Sequence, residues 1–505
     1  MSELMAMSIE DAGRIPATDR DGFARIRVEP AQWIALSRGC AQALQDLSAL
    51  WIDGNLARMA LIGRDRSRRC IATLELADGT YPSVAQFHAP AIRLERAMHD
   101  LYRVTPVGLP DLRPWLDHGV WPASPEGDSA AWRQSRIDYA FLPADGEGLH
   151  QVPVGPVHAG IIEPGHFRIT ANGEAVVRLE ERFGYLHKGI EALCVGKTVD
   201  QTARIVARIS GDSTVAYSLA FARSIEAAAG IEVPVRAVII RAVMAELERI
   251  AHHINDFGAI CNDASVVAIH AHCTLLRENI LATCDACFGH RMMMDRIVPG
   301  GVSVDLTSES IARLRHLLDA CELGRKQAVR IYDGMPSVLD RTVTTGRVSN
   351  ELAERFAAGG FVGRASGRDF DCRRDACYAP YDTVAFDVPI RSEGDVDARA
   401  WIRLEEIVQS ISIIRQLLDR LPDGPVRCGL PVLTAAEGAA FAEAFRGDVF
   451  LTVRLDSDGR IAHCHARDAS WFQWPLVEAA IEGNIVADFP LCNKSFNCSY
   501  AGHDI

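Results

Sequence analysis

His158, Glu163 and His166 stand within one short stretch, PVGPVHAGIIEPGHFR, punctuated by proline and glycine. Two imidazoles and a carboxylate this close together are groups that take up and release protons near neutral pH. The Pro and Gly residues mark the stretch as a loop. The next residues read as a β-hairpin: Phe167 and Ile169 alternate with polar residues, Asn172-Gly173 supplies a positive-φ turn, and Val176 to Leu179 return. Such a hairpin is a rigid base on which the loop can hold polar groups in place. Glu163 lies between Ile161-Ile162 and a Pro-Gly turn, so the sequence predicts a part-buried carboxylate whose desolvation favours the protonated form. Two roles are open to it: relaying protons, with His158 or His166 as the next station, or pinning the loop by accepting backbone N–H bonds.

Cysteine pairs give less. Cys284-Asp-Ala-Cys287 is a C-x-x-C inside a predicted helix, with no second pair of that spacing to complete a zinc or iron-sulfur set. Core cysteines are the simpler reading. Cys372 and Cys377 have no metal spacing, and His252-His253, with Glu248 one turn earlier, reads as a helix-face group. No G-x-G-x-x-G lies between a strand and a helix, so NAD(H) binding is not indicated.

The elements that position these residues follow from periodicity. The chain has 505 residues, 48% hydrophobic and 24% charged, with a net charge of −13. Those figures describe a globular protein of more than one domain and argue against a nucleic-acid groove. The most apolar run, Val233 to Ile254, is broken by Arg236, Arg241, Glu246, Glu248 and Arg249, and MSELMAMSIEDAGRIP has no signal-peptide core. The 14 cysteines are therefore expected to stay reduced. The fold class is α+β: a small N-terminal α+β domain over 1–125, a linker over 126–150, and a mainly helical bundle with peripheral hairpins over 151–505. In the first domain, strand-like pieces run from Leu47 to Leu74 and APAIRLERAMHDLY is a helix. In the second, helices are expected at Arg204–Ala229 with a Gly230 stop, from Pro234 to about Phe257, at Leu275–Met294 and at Trp401–Leu421. Two strands are expected over 447–471, around Asp458-Gly459.

GPVHAGIIEPGHFR followed by RLEERFGYLHKGIE resembles the opening of the large subunit of membrane-bound, energy-converting nickel-iron hydrogenases of the formate hydrogenlyase and hydrogenase-4 types. It is more distantly similar to the quinone-site large subunit of respiratory complex I. The helix with Glu95, Arg96 and Asp100, and the later PDLRPWLDHGVWP, resemble the complex I small subunit fused N-terminally. Arg364, Asp371, Arg373, Tyr381 and Asp387 match a segment common to both families, and their simplest role is to hold loops together. The family's glutamate loop corresponds to Glu163-Pro-Gly-His166. Its arginine over the metal corresponds to Arg446, in the run Glu443-Ala-Phe-Arg446-Gly447.

The resemblance implies a nickel-iron centre only if four thiolates are present as two C-x-x-C pairs, since soft metals want soft ligands. At the first pair stands Arg208-Ile-Ser210-Gly-Asp-Ser213; at the second, Cys498 survives and Ala501 replaces its partner. The centre is therefore expected to be lost, and the maturation peptide beyond His503 is expected to be absent. Asp212 is a carboxylate that neither family keeps, and its default reading is an N-cap or turn residue. Quinone is possible, with His158 or His166 as its partner, but the matching tyrosine position holds Ala207. The resemblance implies an oxidoreductase complex coupling electron transfer to proton or ion translocation. Its implied partners are a small iron-sulfur subunit, membrane-embedded antiporter-like subunits and a formate dehydrogenase-like electron-input module. It implies a place on the cytoplasmic face of the inner membrane, held there by those partners. A working nickel hydrogenase, a quinone-site subunit of the NADH:quinone type and a non-redox coupling scaffold are the alternatives. Arg208 and Arg446 are both expected to face the vacated cavity, with Glu163, His158 and His166 as the proton-handling set.

Overall fold

The computed structural model describes residues 5–11, 20–119, 121 and 138–505. Of the expected linker, 126–137 lies outside the described residues. The chain divides into two compact units, 1–188 with 503–505, and 189–502. The division thus falls after Lys188 rather than near residue 150. The reason is local: Arg93 pairs with Glu181 at 2.8 Å and Arg113 with Glu180 at 2.6 Å, tying the hairpin to the small domain.

In the first unit, β1 (Ala24–Arg27), β2 (Gln45–Asp53), β3 (Leu56–Gly63) and β4 (Arg69–Glu75) form a sheet ordered β1-β4-β3-β2. β2 and β3 are buried along nearly their whole length, as expected of strands covered on both faces. Helix α1 (Pro30–Ala41) starts on a proline, which costs no hydrogen bond there. β5 (Thr80–Pro82) and β6 (Thr105–Val107) flank α2 (Ile92–Tyr102). The charges on α2 do not form a solvated face. Glu95 accepts hydrogen bonds from Ser83 Oγ (2.6 Å), Val84 N (2.8 Å) and Ala85 N (3.1 Å). Asp100 Oδ2 accepts from the backbone of Trp115, Leu116 and Asp117 at 2.6, 2.7 and 3.1 Å. These carboxylates take up loop N–H groups that would otherwise be buried without partners. β7 (Leu149–Val154), β8 (His166–Asn172) and β9 (Ala175–Arg182) make the expected hairpin with one extra strand.

The second unit opens with α3 (Ile190–Cys194) and α4 (Val199–Val206), then α5 (Thr214–Ala229). The single helix expected from Arg204 to Ala229 is broken between Val206 and Thr214. Glu248, from a different helix, takes the first N–H groups of α5, Val215 at 2.8 Å and Ala216 at 3.2 Å, replacing the carbonyls of a continuous helix. Gly230, with φ +65°, ends α5 as expected. α6 (Val235–Asp263) packs on α7 (Val267–Phe288). β10 (Ile297–Val298) and β11 (Gly301–Val302) precede α8 (Ser308–Asp333), which packs on α7. Short helices α9 (Pro336–Thr342), α10 (Asn350–Arg355) and α11 (Gly360–Ala365) lead to α12 (Val396–Asp419) against α6. The antiparallel sheet β12 (Glu437–Ala444), β13 (Gly447–Leu455) and β14 (Ile461–Arg467) lies on α5, followed by α13 (Ser470–Ile481) and α14 (Phe489–Phe496). Among the described residues no helix is long and apolar enough to cross a membrane.

Ala444 pairs with Gly447, so Phe445 and Arg446 form the two-residue tip of the β12–β13 hairpin. The tip fits only because Gly360 backs it: at φ +63°, a Cβ there would stand 2.0 Å from the Arg446 carbonyl oxygen. Gly360→Ala combines left-handed strain with a backbone clash and should destabilise by about 2–4 kcal/mol, read as a lower urea midpoint with unchanged m-value.

Candidate functional site

Three segments of the second unit meet around Arg446. The break between α4 and α5 supplies Ser210, Asp212 and Ser213, the hairpin tip supplies the arginine, and the chain after α14 supplies Asn497 to Ala501. Asn497 ends α14 in the left-handed conformation, φ 46°. The Arg446 fork grips Asp212 with both terminal nitrogens, at 3.0 and 2.6 Å, and reaches Ser213 Oγ at 3.3 Å. Its Nε donates to the Asn497 carbonyl, and its guanidinium lies 4.4 Å above the Phe445 ring. Ser210 Oγ donates to Asp212 at 2.7 Å and stands 3.0 Å from Ser499 Oγ. Burial pushes the Asp212 carboxyl up, but the Arg446 charge and the hydrogen bonds outweigh it and hold the group below the usual carboxylate range. His252 stacks on Phe445 at 4.6 Å, and burial lowers its pKa to about 4, so it is neutral at physiological pH. Asp212 is thus the turn residue that its position allowed, within the single turn Gly211–Ser213, and it serves as an ion-pair partner and not as a helix cap.

The four positions that would ligate nickel and iron hold two hydroxyls, one thiol and one methyl group. Ser210 and Ser213 are engaged with Asp212, Ser499 and Arg446, Cys498 donates weakly to Gln473 Oε1 at 3.8 Å, and Ala501 is buried. A centre bridged by soft thiolates does not fit this donor set.

Arg208 does not join Arg446. It donates to the Arg204 carbonyl at 2.7 Å, at the last turn of α4, and turns outward to an exposed pair with Asp295 at 2.7 Å. There it lines a groove of about 430 Å³ with Arg204, Asp295, Arg296 and Arg427. Ala207 is fully buried and offers no phenol.

The His/Glu loop belongs to the first unit. Its neck is closed by Gly165 N donating to Pro156 O at 3.0 Å, and Gly155, at φ +85°, allows that approach. The residues between form turns and bends, with Ile161 99% exposed. Glu163 is exposed too, against the expectation of part-burial, while Ile162 beside it is half-buried. His158 is half-buried, its Nδ1 3.2 Å from Pro156 O and its ring edge-on to Phe167. His166 is buried beside Phe141, 3.4 Å from Gly155 O, and desolvation lowers its pKa.

The 359–389 segment works structurally. Arg364, Asp371, Arg373 and Tyr381 are buried in one ionic network with Glu246, Glu406 and Glu443, while Asp387 is exposed and only its N–H bonds Gln409. Cys284 and Cys287 both lie in α7 as buried free thiols, raised by burial. Reasoning from sequence missed Ser499 and the Asp212 pairing. A new carboxylate between two expected ligand positions, opposite an arginine expected to overlie them, was the available signal.

A four-helix bundle bearing two short segments under an arginine defines a large subunit of the hydrogenase and complex I class. Residues 263–437 match the family model "Respiratory-chain NADH dehydrogenase, 49 Kd subunit". Over 350 residues the chain is 30% identical to the carbon monoxide-induced hydrogenase of Rhodospirillum rubrum, covering 69% of this chain and 97% of that one. It is 29% identical to formate hydrogenlyase subunit 5 of Escherichia coli K12, over 90% of this chain and 82% of that one. An NADH-quinone oxidoreductase chain of Roseiflexus sp. RS-1 is 36% identical over 54% of this chain and 73% of its own. The fold also matches a chain of the archaeal membrane-bound sulfane sulfur reductase, with a TM-score of 0.68 at 24% identity, over 72% of this chain and all of that one. The chain belongs to this family of large subunits of membrane-bound hydrogenase and complex I-like oxidoreductase complexes.

The Asp212–Arg446 pair should show a coupling energy of about 1–2 kcal/mol in a double-mutant cycle of Asp212→Asn and Arg446→Gln. That is less than a fully buried pair gives, because the Asp212 side chain is 35% open to solvent. The Asp212 pKa is depressed in the folded state, so its contribution is present above pH ~4 and lost as pH falls further. Asp212→Asn should flatten that acid limb of the stability curve.

Proposed function

We propose that this chain is the large subunit of a membrane-attached oxidoreductase complex that couples electron flow to proton or ion translocation, and that it does so without a nickel-iron centre. One observation carries the reading: the four expected ligand positions hold Ser210, Ser213, Cys498 and Ala501, and both serines are engaged with Asp212, Ser499 and Arg446. A charge-matched, hydrogen-bonded cluster of this kind can hold its segments together and respond to charge nearby. It cannot supply thiolate ligands. A small iron-sulfur subunit and membrane-embedded antiporter-like subunits are the partners we propose, with a formate dehydrogenase-like module as electron input. The chain would then sit peripherally on the cytoplasmic side of the membrane. Quinone would have His158 or His166 as its partner, but no phenol at Ala207.

Purified with its partner subunits, the chain should hold nickel well below one atom per complex, and the complex should neither take up nor evolve hydrogen. Stoichiometric nickel by elemental analysis sinks the reading. Within it, Glu163 is assigned to proton transfer, its exposed loop able to exchange protons with solvent or a partner. Glu163→Gln keeps shape and hydrogen bonding but carries no proton, so the variant complex should assemble normally and lose at least about tenfold in turnover. Wild-type turnover returns the loop to a structural role.

A further inference from the structure

The ionic network inside the helix bundle has an unbalanced charge. Arg373 meets Asp371 at 2.6 Å and Glu246 at 3.0 Å, and Arg364 meets Glu406 at 2.8 Å, Glu443 at 3.0 Å and Asp371 at 3.4 Å. Arg249 completes it, 3.3 Å from Glu246 and 3.6 Å from Glu406. Every member is 0–3% exposed. Four carboxylates therefore face three guanidinium groups. Arg403 also faces Glu406 but brings its own carboxylate, Asp256 at 3.7 Å, and Arg467 pairs with Asp448, so neither removes the surplus. A surplus buried negative charge is costly, and the network must take up a proton to remove it.

His253 is the first candidate, since its Nε2 lies 2.7 Å from Glu406. Its Nδ1, however, is buried with no hydrogen-bond partner. An imidazolium would leave that second N–H unsatisfied, so the ring is neutral and donates through Nε2 alone. The proton belongs on a carboxyl. Glu246 accepts from Arg373, Arg249, Tyr381 OH at 2.7 Å and Ser410 Oγ at 2.6 Å, a set that demands an ionised acceptor. Asp371 takes the Arg373 fork and the Arg373 N–H. Glu406 takes Arg364 and His253. Glu443 has the thinnest support: one Arg364 N–H at 3.0 Å, the Cys372 backbone N–H at 3.0 Å, and the weak Cys372 thiol.

The geometry points to Glu443 as a buried proton-binding site, holding one exchangeable proton for the network three residues before Arg446. Burial first, and the Asp371 charge second, push the Glu443 carboxyl up to about 7 against the three arginines, in agreement with the bonding pattern. Because the site is neutral when loaded, and surplus-negative when empty, a change of charge near the hairpin tip would load or unload it. The ligand is a proton, and the acceptor is a carboxylate oxygen.

Infrared difference spectra of the full chain, recorded one pH unit below and one above 7, test this. Wild type should show the C=O stretch of a neutral carboxylic acid on the acid side, displaced in D2O and lost on the basic side. Glu95 and Glu248, raised by burial to about 7 and about 8, add bands of their own, so the Glu443 band is the one that Glu443→Gln removes from the set. It should shift in frequency in Cys372→Ala, which alters the hydrogen bonding of Glu443 but no charge. If Glu443→Gln does not fold, the Cys372→Ala shift decides alone. A set of bands unmoved by Cys372→Ala, or undiminished in Glu443→Gln, overturns the assignment. So does an imidazolium signature at neutral pH that His253→Gln removes.

Discussion

Charge buried in the helix bundle has to be matched, and most of the second unit is arranged to match it. Arginines from α6, α11 and the loop after α11 project inward, and carboxylates from α6, α12 and β12 meet them. Removing any one of the arginines would leave carboxylates without solvent or counter-charge, which makes these positions interdependent. The interior of the unit is consequently fixed in geometry as well as filled. The α11 segment, α12 and the β12–β13 hairpin cannot shift independently, and the hairpin tip inherits that fixity.

Arg446 is where the constraint reaches the candidate site. Its backbone is held against Gly360, whose missing side chain lets the two backbones touch, and its carbonyl accepts from Gln473 Nε2 at 2.7 Å. It faces a carboxylate where nickel-binding relatives of this class would present thiolates.

Much of this was legible from residues alone. Periodicity placed α6, α7 and α12, Asn172-Gly173 placed the hairpin turn, and the residues at the four expected ligand positions, Ser210, Ser213, Cys498 and Ala501, were readable from the sequence alone. Other features depend on tertiary context. β12, EGAAFAEA, has no β-branched residue and becomes a strand because β13 and α5 cover it. The break after α4 is held by Glu248, 33 residues from Val215, and its local signal was the Ser210-Gly211-Asp212-Ser213 run. α8 carries its own cap at Thr307 and was within reach of pattern reading. The exposure of Glu163 escaped because two isoleucines beside a carboxylate suggest a core that the loop does not have.

The hydroxyl contact between Ser210 and Ser499 joins residues 289 apart. The first half of the candidate site is therefore synthesised long before the second, and Asp212 and Arg446 must wait for Asn497 and Ser499 before the cluster closes. Contacts this distant in sequence form late, after the entropy of the intervening chain has been spent on other structure. The bundle can be in place while the site is still open. In this chain the Ser210–Ser499 and Arg446–Asp212 contacts complete the closure.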